Sequence, residues 1–189
     1  STHCISSAAS DVYKRQVEDY DVEVLTTCVR DVATGENIYP VGEEEWNGVV
    51  IRRFKTNPVQ REKERYFAKR AKPARKLRQV LFKLGILKYL SYLFPVWSYK
   101  NDLEVQAMNS DKFYSSALNE YIREHVDEYK AFIAMSSDYV TFYYTALYAG
   151  RKTIAIPTMH NMGISFRSVL TSAFSKIAYV GFNTGEEQR

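Results

Sequence analysis

No stretch of this sequence approaches the roughly 20 continuous apolar residues that a membrane-spanning helix needs, and its opening residues lack the charged-then-apolar order of a secretory signal. A cytoplasmic chain is therefore expected. Cysteine is nearly missing: Cys4 and Cys28 form neither a C-x-x-C redox pair nor a zinc-ligand spacing, so reduced thiols and no metal site are expected. No G-x-G-x-x-G opens a helix, which argues against a doubly wound dehydrogenase. Internal repeats and low-complexity tracts are also missing.

What is present fits one ordinary globular domain with a sizeable core: 189 residues, 46% hydrophobic and 25% charged. The net charge of +4 is unevenly placed. Between Gln60 and Leu93 eleven Lys and Arg stand against Glu62 and Glu64, whereas Asp102 to Glu128 is acidic. The basic residues interleave with Leu, Phe and Tyr and run into Leu90-Ser91-Tyr92-Leu93-Phe94. Two readings stand: peripheral contact with an anionic membrane surface through residues 61–94, on the inner face of the membrane, or a solvated helix face whose apolar side packs on the domain. Nucleic acid is not an expected partner, because no recognition motif accompanies the charge and the pI is only about 8.9.

Val22 to Thr26 alternates and is β-branched, and Val49 to Phe54 follows an Asn47-Gly48 turn, so both are expected as strands. Apolar residues at three- and four-residue steps predict a helix from Glu62 to Phe94, weakened at Gly85 and ended by Pro95. Ser110 or Asp111 is expected to cap a helix running to Glu128, with Phe113, Leu118, Tyr121 and Ile122 on one face. Then the rhythm alternates: strand at Ala131 to Met135, helix at Tyr139 to Tyr148 closed by Gly150, strand at Thr153 to Ile156, helix at Gly163 to Phe174, strand at Ile177 to Val180. Apolar strands alternating with short helices imply an α/β fold, a doubly wound, mainly parallel sheet with helices on both faces. In such sheets ligands bind beyond the carboxyl ends of the strands, here at Thr26 to Arg30, Ser136 to Tyr144, Pro157 to Asn161 and Asn183 to Glu186.

At these loops the run Tyr20 to Asp31, the segment Glu36-Asn37-Ile38-Tyr39-Pro40, the strand after Asn47-Gly48, the segment Ile156-Pro157-Thr158-Met159-His160-Asn161 and the segment Phe182-Asn183-Thr184-Gly185-Glu186-Glu187 together resemble the N-terminal, acceptor-side domain of glycosyltransferase family 4. The resemblance implies two Rossmann-like domains across a cleft, retention of anomeric configuration, a nucleotide-sugar donor held by a C-terminal domain, a glycan or lipid-linked acceptor, and no cofactor or obligatory metal. It implies a partial domain over residues 17–189, lacking its first strand and glycine-rich loop, with residues 58–100 as a basic helical insertion. Residues 1–16, without periodicity, resemble a translated adaptor and are set aside. On this reading the isolated chain is expected to be inactive. The alternative is a non-catalytic Rossmann-like module whose basic amphipathic arm binds a membrane or a protein partner.

The resemblance assigns His160 a catalytic place at the cleft edge and puts Thr158 and Asn161 beside the substrate. Asn161 stands where close relatives of that family carry Asp, and loss of that carboxylate leaves the imidazole less firmly oriented. Asn183 and Thr184 either cap a helix or face donor phosphate. Tyr139, Tyr143 and Tyr144 either stack on a sugar ring or belong to the core. Arg30 either meets a phosphorylated or acidic acceptor or is a solvated surface residue.

Overall fold

The computed structural model describes residues 20–158 and 163–182. The chain is mixed α/β and divides into two units, Ser1–Thr56 and Asn57–Arg189. Within the first, β1 (Glu23–Thr27) pairs in parallel with β3 (Val49–Phe54), and β2 (Gly42–Trp46) pairs antiparallel with β3. Asn47 and Gly48 both take positive φ, 53° and 77°, the two-residue turn whose twist matches that of the strands it joins. Gly42–Trp46 has no apolar alternation, so the sequence does not announce it as a strand. Charge secures it instead: Glu43 and Glu44 on this exposed strand bond Arg52 and Arg53 of β3, and Arg52 also reaches Glu23 of β1. Cys28 is fully buried and unpaired, and burial pushes its thiol pKa up. Cys4 lies outside the described residues.

In the second unit α1 (Arg61–Lys83) begins with Glu62 and Glu64 in its first turn and ends with Lys83 in its last, matching its dipole. The chain breaks at Gly85, whose φ of +70° a helix cannot hold, so the single helix expected to Phe94 becomes α1 and the short α2 (Leu87–Leu93). A further helix, α3 (Asn101–Asn109), packs on α1, which turns Ala71 and Ala74 inward. Ser110 and Asp111 do not cap the next helix. Asp111 Oδ1 instead accepts a bond from the Phe113 amide at 2.9 Å, closing a turn. Ser115 is the cap, its Oγ taking the Leu118 amide at 3.2 Å, and α4 runs over Ser116–His125.

β4 (Phe132–Met135), α5 (Val140–Ala149), β5 (Thr153–Ile156), α6 (Ser168–Phe174) and β6 (Tyr179–Val180) follow, with β4 and β6 parallel to β5 on either side. Gly150 at φ +51° ends α5. The helix expected over Gly163 to Phe174 is a 3₁₀ turn, Gly163–Phe166, and then α6. The core between them is Val140, Phe142, Tyr143, Tyr144 and Ala146 of α5, Ala155 of β5, and Val169, Leu170 and Ala173 of α6. The parallel pairs agree with the sequence reading. Instead of one continuous sheet, however, the described strands form two three-stranded sheets, one in each unit.

Candidate functional site

Beyond the carboxyl ends of β4 and β5 the backbone is under local strain. Ser136 follows β4 with φ +60°, and Thr158 follows β5 with φ +46°. Both are non-glycine residues in the left-handed region, and for β-branched Thr158 this is a costly conformation, on the order of 1–3 kcal/mol. The two are tied together. Ser136 Oγ and Thr158 Oγ1 lie 3.0 Å apart, the Ser136 and Ser137 amides donate to the carbonyls of Ile156 and Pro157, and buried Ser137 Oγ donates to Pro157 at 3.1 Å. The loops that leave neighbouring strands are thereby held in register.

Residues further along the chain from this junction line a cavity of about 240 Å³ in the second unit, although Ser136, Ser137, Pro157 and Thr158 are not among its lining residues. Asp138, Tyr139 and Val140 line it after β4, and Ile164 and Arg167 line it after β5. The opposite wall is helical. Glu64, Ala68, Ala71, Lys72 and Arg75 occupy one face of α1, and Glu104, Ala107, Met108 and Asp111 one face of α3 and the turn after it. Both sets follow the i, i+3, i+4, i+7 spacing of a single helical face. Small alanines leave room between the helices; of the charged residues Lys72 is exposed, Glu64, Arg75 and Asp111 are half-buried and Glu104 is buried. Phe113 and Tyr139 add aromatic surface, their rings meeting edge to face at 5.0 Å.

A buried ion pair fixes this wall. Arg78 has no solvent exposure. Its Nη1 donates to Glu104 Oε1 at 3.0 Å and to the Phe166 carbonyl at 2.9 Å, Nη2 to Tyr99 at 2.7 Å, and Nε to Val96 at 3.2 Å. The guanidinium also lies over the Trp97 ring. Glu104 Oε2 accepts from the Ser168 amide at 2.6 Å and from its hydroxyl at 2.8 Å, so one carboxylate closes the start of α6 as well. Both Glu104 oxygens are thus bonded within the fold, and its charge also acts on Arg167 through space.

The remaining charges are less engaged. Burial raises the Glu64 carboxyl pKa, with the neighbouring Asp111 carboxylate adding to the effect. Burial likewise lowers the Arg167 guanidinium pKa, reinforced by the positive charge of Arg75. Among the described residues no group of three or more His, Cys, Asp or Glu side chains is arranged to hold a metal ion.

Of the residues singled out in the sequence, Thr158 sits at the end of β5 on Ser136, and Tyr139 lines the cavity. Tyr143 is 9% exposed and belongs to the core, as does Tyr144, whose hydroxyl donates to Asn109 Oδ1 at 2.6 Å. Burial pushes the Tyr144 phenol up to about 12. Arg30 is exposed in the first unit. His160, Asn161, Asn183 and Thr184 lie outside the described residues. The sequence reading missed Glu64, Lys72, Arg75, Asp111 and Arg167, whereas Asp138 falls within the Ser136 to Tyr144 loop it named. A signal existed for the α1 set, because residues 64, 68, 71, 72 and 75 share one helical face and mix alanine with charge, unlike a purely solvated stripe. Comparison of the chain with protein-family models, with curated proteins and with solved structures found no match.

Proposed function

We propose that this chain forms the acceptor side of a retaining glycosyltransferase of the kind its sequence resembles, on a doubly wound Rossmann-like framework, and that the cavity beyond β4 and β5 receives the acceptor. One observation carries the reading: carboxylates, guanidinium groups and aromatic rings line a single small cavity at the carboxyl ends of parallel strands, where open α/β sheets bind their ligands. The chemistry suits a hydroxyl-rich molecule. Asp111 and Asp138 accept hydrogen bonds from hydroxyls, Arg75 and Arg167 donate to ring and hydroxyl oxygens, and Tyr139 offers a face to the apolar side of a sugar. The volume is below the roughly 300–1,000 Å³ of sites for drug-sized ligands, which fits one sugar unit.

In transfer, the bond between the donor sugar and its nucleotide diphosphate breaks, a bond to the acceptor oxygen forms, and the acceptor's hydroxyl proton leaves with the departing diphosphate. This chain's part is to hold the acceptor hydroxyl in place, which lowers the barrier by fixing its orientation. Thr158, in the Ser136–Thr158 junction, and His160, two residues further along the chain, are the groups proposed to meet the reacting hydroxyl. Saturation-transfer NMR of the full chain against a panel of monosaccharides and short glycans tests this. At least one pyranose should receive saturation, and Asp138→Asn with Asp111→Asn should abolish it. A panel that gives no transfer, or transfer that survives both substitutions, contradicts the proposal.

A second reading is favoured by the surface of α2. Tyr92 is 80% and Leu93 74% exposed, Tyr89 and Phe94 are exposed beside them, and Lys83 and Lys88 flank them. No helix among the described residues is long and apolar enough to cross a membrane. An apolar cap with a basic border is suited to lying on an anionic lipid surface, and a lipid-linked acceptor would be presented there. Co-sedimentation with vesicles rich in phosphatidylglycerol should bring down the wild-type chain but not Tyr92→Ser with Leu93→Ser. Equal sedimentation of both, or equal sedimentation with phosphatidylcholine vesicles, would remove this reading.

A further inference from the structure

We infer that the cavity holds a phosphate monoester on its ligand, gripped by the guanidinium groups of Arg75 and Arg167 with the Lys72 ammonium beside them; this rests on the reading of the cavity as an acceptor site.

The first ground is what these two arginines lack. Arg52, Arg53 and Arg123 each pair with a carboxylate, and Arg78, one turn along α1 from Arg75, has a partner on every nitrogen. Among the described residues the side chains of Arg75 and Arg167 have neither an ion pair nor a hydrogen bond, although both line the same cavity and feel each other's charge. They arrive from different elements, Arg75 from α1 and Arg167 from the junction of the 3₁₀ turn with α6. Like charges brought together in a partly buried place repel, and an anion between them reverses the sign of that interaction.

The second ground is that the carboxylates nearby do not supply that anion. Glu104 is occupied by Arg78 and Ser168. Glu104, Asp138 and Asp111 act on Arg167 through space without bonding it. The third ground is shape. One planar carboxylate is satisfied along an edge by a single guanidinium fork, whereas Lys72, Arg75 and Arg167 present three donor groups around one space. A tetrahedral phosphate offers an oxygen to each. With Asp111, Asp138 and Tyr139 left for hydroxyls, the ligand class is a sugar or polyol phosphate.

Isothermal titration calorimetry on the full chain tests this with three probes: inorganic phosphate, glucose 6-phosphate and glucose. Glucose 6-phosphate should bind at least about tenfold more tightly than either of the others, since it engages both halves of the site. Arg75→Gln and Arg167→Gln should each weaken it by about tenfold while weakening glucose by clearly less. Exposed Lys72→Gln, on which the fold does not depend, should weaken it by roughly threefold, and exposed Lys76→Gln should not. Unchanged affinity in the arginine and Lys72 variants overturns the inference, and so does an equal loss in Lys76→Gln, which would mark diffuse surface charge. Glucose binding without any gain from phosphate overturns it while leaving the acceptor reading intact. Phosphate binding lost in the variants, with no gain from the sugar, supports the anion site and removes the acceptor reading.

Discussion

Replacing Arg78 by methionine should destabilise the chain by about 3–5 kcal/mol, the range for removing one partner of a buried ion pair. The structure supplies the reason. Methionine fills most of the aliphatic volume but donates nothing, so the carbonyls of Val96, Tyr99 and Phe166, in part-buried bonds, and one oxygen of buried Glu104 lose their donors. Each orphaned carbonyl is worth about 1 kcal/mol and the carboxylate more. Against a net stability of roughly 5–15 kcal/mol, the variant should sit near its threshold, with a melting temperature lower by on the order of 10 °C. Urea unfolding read through Trp97 fluorescence, in a Trp46→Phe background, reports the event beside the guanidinium. Adding Glu104→Met should destabilise by clearly less than the sum of the two single losses, with a coupling of at least about 1 kcal/mol. A loss below about 1 kcal/mol in Arg78→Met, or additive losses, would refute the assignment of this pair as the fastening of the cavity wall.

Glu64→Gln should stabilise the chain at neutral pH, an effect that fades on acidification. The folded carboxyl pKa is raised by burial and by Asp111, with Arg65, Lys112 and Arg167 opposing, so the native state binds this proton more tightly and stability is lost as pH rises through the folded value; denaturation midpoints from pH 4 to 7 check the trend. Tyr144→Phe should remove a phenol ionising near pH 12 from a spectrophotometric alkaline titration, and forfeit about 0.5–1.5 kcal/mol with the Asn109 bond. Ser115→Ala should cost about 1 kcal/mol in thermal unfolding by stripping the α4 cap, with Ser115→Gly costing less than alanine.

Local signals in the sequence located most elements of the second unit because they were strong there. Thr153–Ile156 is a short apolar run between turn residues, and Gly150 closes α5 as its neighbours imply. Breaks were harder to see. Gly85 reads as a weak point within an apolar rhythm, yet only its left-handed backbone shows that the rhythm crosses two helices. β2 was invisible because its pairing rests on cross-strand charge, which carries no period-two apolar pattern. α3 was hidden for a similar reason: its buried anchor is Glu104, a charged residue that sequence reasoning places outside. The candidate site followed the same division. The strand-end loops at Ser136 and Pro157 were legible from the alternation of strands and helices, whereas the helical wall depends on Arg78 and Glu104 meeting across residues far apart in the chain.

The most direct test of the cavity as an acceptor site is a ¹H–¹⁵N shift map of the full chain titrated with glucose 6-phosphate. The account predicts saturable changes concentrated at residues 136–140 and 163–169, with Arg75 and Lys72 on the facing helix, and no saturable change at Arg30. Saturable changes that avoid those residues, or that collect on Leu87–Leu93 alone, would contradict it.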